Sequence, residues 1–178
     1  MTIGIVCDST ADLPEDLVKE YGIHIVPLKV HFGQEEYRDG VDITAGEFYQ
    51  KLQASAVLPT TSQPSPGEFV ETYRKLLEQG IDSIISIHIY AHLSGTHHSA
   101  EVAKSMLPEA DIEVIDSWQA STVLGVLVLE AARAAQAGKS KAEIVDLVNR
   151  LKERIRVFFM VDTLEYLQKG GRIGKAQA

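Results

Sequence analysis

Between Pro59 and Phe69 the chain sets three hydroxyls, Thr60, Thr61 and Ser62, just ahead of a helix start. Ser65-Pro66-Gly67-Glu68 supplies that start. Ser65 caps the free amides, Pro66 takes the first helical position and Glu68 completes a capping box. The three earlier hydroxyls are not needed for this cap. Pro59 and Pro64 keep the backbone around them extended and stiff. A rigid run of hydroxyls beside the positive end of a helix suits a small anionic group. The competing reading is a polar loop with a well-made cap.

Ser94-Gly95-Thr96 is a second candidate, because a glycine between two hydroxyls lets a ligand approach the backbone ahead of a helix. A plain cap with Gly95 for the turn explains the same residues. His88, His92, His97 and His98 invite a metal reading. His88 belongs to a strand and His92 to a loop, and no H-E-x-x-H or cysteine partner accompanies them, so no metal site is expected. A serine hydrolase elbow is absent around Ser94, where Ala91 and Leu93 break the pattern. The stretch from Gly171 to Ala176 lacks the spacing and the Ser/Thr of a phosphate-binding loop.

The elements that must position these residues alternate. Apolar runs predict strands near 3–7, 82–89, 112–115 and 157–161, with a β-rich stretch from Ile23 to Phe32 interrupted by Pro27. Helices are expected from about Pro14 to Tyr21, after the capping boxes at Thr44, Ser65 and Ser140, to about Met106, from Ser121 to Ala137, and from Thr163 to Lys169. Phe69, Tyr73, Leu76 and Leu77 form one buried helical face. The alternation predicts an α/β fold, a mostly parallel sheet covered by helices on both faces. Ligands of such sheets gather beyond the carboxyl ends of the strands. Ser9, Ser94 and Ser117 are expected at that one edge.

The 178 residues suffice for one domain with a real core, or for one domain and part of a second. A net charge of −8 without a basic block argues against nucleic acid and anionic membrane surfaces. The lone Cys7 excludes an internal disulfide and fits a reducing compartment, and no run is long enough to span a bilayer. No signal peptide is recognisable at the N-terminus, so a cytoplasmic location is expected.

Several motifs together resemble the DegV family. They are Asp8-Ser9-Thr10-Ala11-Asp12-Leu13-Pro14, Thr61-Ser62-Gln63-Pro64-Ser65, Ser94-Gly95-Thr96, Val114-Ile115-Asp116-Ser117, and Asp162-Thr163-Leu164-Glu165-Tyr166-Leu167 with Gly170-Gly171-Arg172-Ile173. The match runs in order along nearly the whole chain. The resemblance implies a bacterial protein that binds a long-chain fatty acid. It also implies that the acid is presented to a separate fatty acid kinase subunit, which makes the acyl phosphate, with no catalysis and no cofactor in this chain itself. It puts the carboxylate near Thr61, Ser62 and Ser94, with Gly95 in the same loop, and Arg172 on the kinase-facing side. It further implies that residues 1–160 are an N-terminal lobe, and that 161–178 are a linker helix and the start of a second lobe that is missing here. An apolar face left uncovered by that lobe is expected to favour self-association or to bind apolar dyes. The sequence departs from the family pattern at His97-His98 and Trp118-Gln119. The alternatives are a small-molecule phosphotransfer enzyme on a related lobe, with His92 or His97 presented at the sheet edge, and a partner-binding module that has lost its ligand.

Overall fold

A computed structural model describes residues 2–173. Four short apolar segments, β1 (Ile3–Asp8), β2 (His24–Val26), β6 (Ser83–His88) and β7 (Ile112–Asp116), make one sheet in the order β2-β1-β6-β7. All three pairings are parallel. The interior strands β1 and β6, buried on both faces, read as nearly continuous apolar runs, as parallel strands do.

Period-two alternation divides the core in two. Ile5, Cys7, Ile85, Ile87 and Ile115 point to one face, against Leu124 and Val128 of α5 (Thr122–Gln136) and Ile144 and Val148 of α6 (Lys141–Arg154). Val6, Ile84, Ile112 and Val114 point to the other. They meet Phe69, Tyr73 and Leu76 of α3 (Pro66–Glu78) and Ala100 and Ala103 of α4 (Thr96–Ser105). Cys7 lies in the interior strand β1 with no exposed surface, and burial pushes its thiol pKa well up.

The helices start as the sequence predicts. The α1 helix (Glu15–Glu20) is short, and full capping boxes open α2 (Ala45–Ala54) at Thr44, α3 at Ser65 and α6 at Ser140. The α7 helix (Glu165–Lys169) is the last helix among the described residues. In α5, Gly125 lies so close to a 3₁₀ turn at Ser9–Ala11 that a Cβ would collide with the Ala11 carbonyl oxygen.

A second, antiparallel sheet was only partly visible in the sequence. It has the order β4-β3-β5, from β3 (Lys29–Phe32), β4 (Glu35–Arg38) and β5 (Thr60–Ser62). Pro27 separates the β-rich stretch into β2, in the main sheet, and β3, in the small one. One expectation is corrected: residues 157–161 form no strand. They pair with neither edge of the main sheet, and Phe158 and Met160 stand 93% and 98% exposed. The β-tendency of such residues is a tendency to pack, and here no strand among the described residues pairs with them. Of the stretch 161–178, residues 174–178 lie outside the described residues.

Candidate binding site at the carboxyl edge of the main sheet

The strands β1, β6 and β7 end side by side at Asp8, His88 and Asp116. Ser9, Ser117 and the loop carrying Ser94 therefore open on the same edge, as the alternation predicted. Hydrogen bonds fix the loop from Ile89 to Gly95. Ser117 N donates to the His88 carbonyl (3.1 Å), Tyr90 N to the Gln119 carbonyl (2.9 Å) and Ala91 N to Asp116 Oδ1 (3.2 Å). Leu93 N and Ser94 N both donate to the Tyr90 carbonyl (2.8 and 3.2 Å). Ser94 Oγ then accepts from Thr96 N (3.3 Å) and lies 2.8 Å from Thr96 Oγ1, turning the chain into α4.

The small sheet forms the opposite wall. In the β3–β5 pairing Thr61 stands opposite Val30 and Ser62 opposite Lys29. Thr61 thus shares the face of Val30, and Ser62 has the other face, where its Oγ lies 2.8 Å from His31 Nε2. Between the two walls is a cavity of about 920 Å³, within the usual range for small-molecule sites. Thr61, Ser62, Ser94, Gly95 and Arg172 all line it, together with apolar Leu28, Val30, Ile89, Leu93 and Phe159. The residues singled out in the sequence are brought together, from segments more than a hundred positions apart. Arg172 donates to the Gly170 carbonyl.

Below this floor runs a buried polar chain that sequence reasoning missed. Tyr73 OH donates to Ser86 Oγ (2.8 Å), Ser86 Oγ lies 2.7 Å from His88 Nε2, and His88 Nδ1 lies 3.0 Å from Asp8 Oδ2. Asp8 also accepts from Ile89 N (3.0 Å), Thr10 N (3.1 Å) and Thr10 Oγ1 (2.5 Å). All four side chains, Asp8, Tyr73, Ser86 and His88, are fully buried. Burial alone raises the Asp8 pKa. The hydrogen bond and charge of His88, with those of Thr10 and the Ile89 amide, outweigh it and hold the carboxyl below its ordinary value. The available signal was Ser86 and His88, two polar residues at alternate positions of an apolar strand.

The histidines do not converge. His88 is engaged by Asp8, the His92 ring lies 4.9 Å from that of Tyr90, and His97 Nε2 is 4.0 Å from Glu101. Burial holds His97 below its ordinary pKa, with the charges of Asp116 and Glu101 opposing that shift. Among the described residues no group of His, Cys, Asp and Glu is arranged to hold a metal. Among them, too, no helix is long and apolar enough to cross a membrane.

Comparison with known proteins places the chain in a family. A family model described as "Uncharacterised protein, DegV family" matches residues 2–178. A DegV domain-containing protein of Caldanaerobacter subterraneus subsp. tengcongensis is 46% identical, over 99% of this chain and 62% of its own length. The structure of a DegV family protein from Thermus thermophilus, described by its fatty acid binding, aligns with a TM-score of 0.89 at 43% identity, covering 99% of this chain and 62% of that one. A stearic acid-binding protein from Eubacterium ventriosum aligns with a TM-score of 0.90 at 37% identity, covering 99% and 61%. The chain thus spans about 62% of the length of the relatives it matches. With the motifs in order, the parallel sheet in place and the family model matched from end to end, the chain belongs to the DegV family.

Proposed function

We propose that this chain binds a long-chain fatty acid, with the carboxylate seated between Thr61 and Ser94. Ser62 and Gly95 line the cavity beside the seat, and the acyl chain runs along the apolar wall at Leu28, Val30, Ile89 and Leu93. The observation that carries the reading is that Thr61 of the small sheet and Ser94 of the loop after β6 line one largely apolar cavity. A carboxylate needs such donors, and an alkyl chain needs such a wall, gaining about 0.8 kcal/mol per buried CH₂. The fatty acid binding described for the Thermus thermophilus and Eubacterium ventriosum proteins supports it. In this reading the chain catalyses nothing itself. It presents the carboxylate to a fatty acid kinase subunit, with Arg172 on the partner-facing side. Residues 1–160 act as the binding lobe and 161–178 as the link to a further one.

Thr61→Ala and Ser94→Ala each remove a donor to a charged oxygen, typically worth about 1.5–3 kcal/mol. At about 1.4 kcal/mol per factor of ten, each weakens acid binding roughly ten- to a hundredfold. Titration with a fatty acid and its matching alcohol reads this out: acid preference falls while the ranking of chain lengths stays. Ser65→Ala is the control. It lowers stability by about 1 kcal/mol through the lost cap and leaves acid preference alone. Full acid preference in both site variants would sink the assignment. Acyl phosphate formation on adding a kinase subunit and ATP tests the presentation step.

A further inference from the structure

Gly95 is not required by its own backbone. Its φ of −74° and ψ of 6° are open to any residue. The position meets Gln63 instead. A Cβ on residue 95 would lie 2.6 Å from both Cδ and Nε2 of that side chain, closer than real Cβ atoms come. Gln63 follows directly on β5, and its Nε2 donates to Ser99 Oγ (3.0 Å), a nearly buried group in α4. The side chain therefore ties the strand that carries Thr61 to the helix that begins beside Ser94, and it crosses Gly95 to do so.

We propose that Gln63 is a positioning residue that sets the separation of the two seat hydroxyls, and that residue 95 is glycine to leave room for it. The proposal rests on the fatty acid reading above for its functional consequence. The tie itself is a matter of geometry: with Gln63 held on Ser99, the small sheet cannot slide along α4, and Thr61 stays in reach of the oxygen that Ser94 binds. Two donors placed on separate layers act together only if the layers are held in register.

The experiment is a double-mutant cycle on Gly95→Ala and Gln63→Ala, with Ser99→Ala beside it. Gln63 and Gly95 themselves line the cavity, so their variants also change its wall; Ser99 does not, so its variant leaves the wall intact and isolates the tie. The probes are oleate and oleyl alcohol. Each of the three variants is expected to lower oleate affinity about tenfold, and alcohol affinity by less than about twofold. The double variant should bind oleate no worse than Gln63→Ala alone. A Gly95→Ala loss of the same factor in both backgrounds would overturn the proposal, because the missing Cβ at residue 95 would then make room for the ligand and not for Gln63. Full oleate preference in Ser99→Ala would overturn it too. Amide hydrogen exchange without lipid gives an independent reading. Exchange at Thr61 and Ser62 should speed up in Gln63→Ala and Ser99→Ala, and unchanged exchange would disprove the tie. A parent chain that binds no oleate refutes the site reading, while the exchange arm still decides on Gln63.

Discussion

Replacing Asp8 by alanine takes the acceptor away from the Ile89 amide, from both donors of Thr10 and from His88. Breaking a buried pair of this kind costs roughly 3–5 kcal/mol. Urea unfolding should show that loss, and Thr10 and Ile89, which line the cavity, should lose their fixed placement with it. The pH dependence follows from the depressed carboxyl. Folded Asp8 titrates below its ordinary 3.8, so the unfolded chain takes up its proton first as the solution is acidified. The contribution is whole above 3.8 and drains away as pH falls through the folded value. The stability gap between the parent and Asp8→Asn should therefore hold above pH 3.8 and shrink as the pH falls below it, and a constant gap would contradict the assignment. At this scale the sequence pointed to Thr61 and Ser94, which the fold brings to one cavity, because hydroxyls ahead of a helix start are a local pattern. It could not disclose Asp8 with His88, since those partners are 80 positions apart and meet only through the β1–β6 pairing.

Elements were legible where their signal is local. The three capping boxes sit where Thr44, Ser65 and Ser140 put them, because each needs only a four-residue pattern. The strand β4 was hidden because Glu35-Glu36-Tyr37-Arg38 carries no apolar alternation, and β5 because its three polar residues pair only with a distant strand. Residues 157–161 erred in the other direction, apolar without a partner. The contact between α5 and the 3₁₀ turn gives a test in which tertiary packing opposes intrinsic tendency. Helix propensity favours Gly125→Ala by about 1 kcal/mol. The added methyl, however, would run into the Ala11 carbonyl and lie 3.2 Å from Leu13 Cδ2. We expect a net loss of about 1–3 kcal/mol in thermal or urea unfolding, and a stabilised variant would show that the turn yields easily.

The whole molecule is a closed sandwich of helices on a parallel sheet, with one open flank. Phe158, Phe159 and Met160, at 93%, 73% and 98% exposure, form an apolar run of the kind that recruits other surfaces. The chain should bind a hydrophobic dye such as ANS or self-associate in sedimentation. Phe158→Ser with Met160→Ser should reduce both, and a monomeric parent without dye binding would count against an adhesive flank. The fold class was readable throughout because alternation of strand and helix is written along the whole chain, whereas the small sheet depends on pairings that no local pattern records. The interior strand β1 has one more consequence. Its Cys7 is the only thiol in the chain, and no reagent reaches it while β2 and β6 flank it. A thiol-reactive dye added in excess under native conditions therefore labels the protein only as fast as the sheet opens. A ligand that binds the closed form alone slows that labelling in proportion to its occupancy. The rate at which one sulfur disappears thus becomes a clock for opening, and it registers a bound ligand without any label on that ligand.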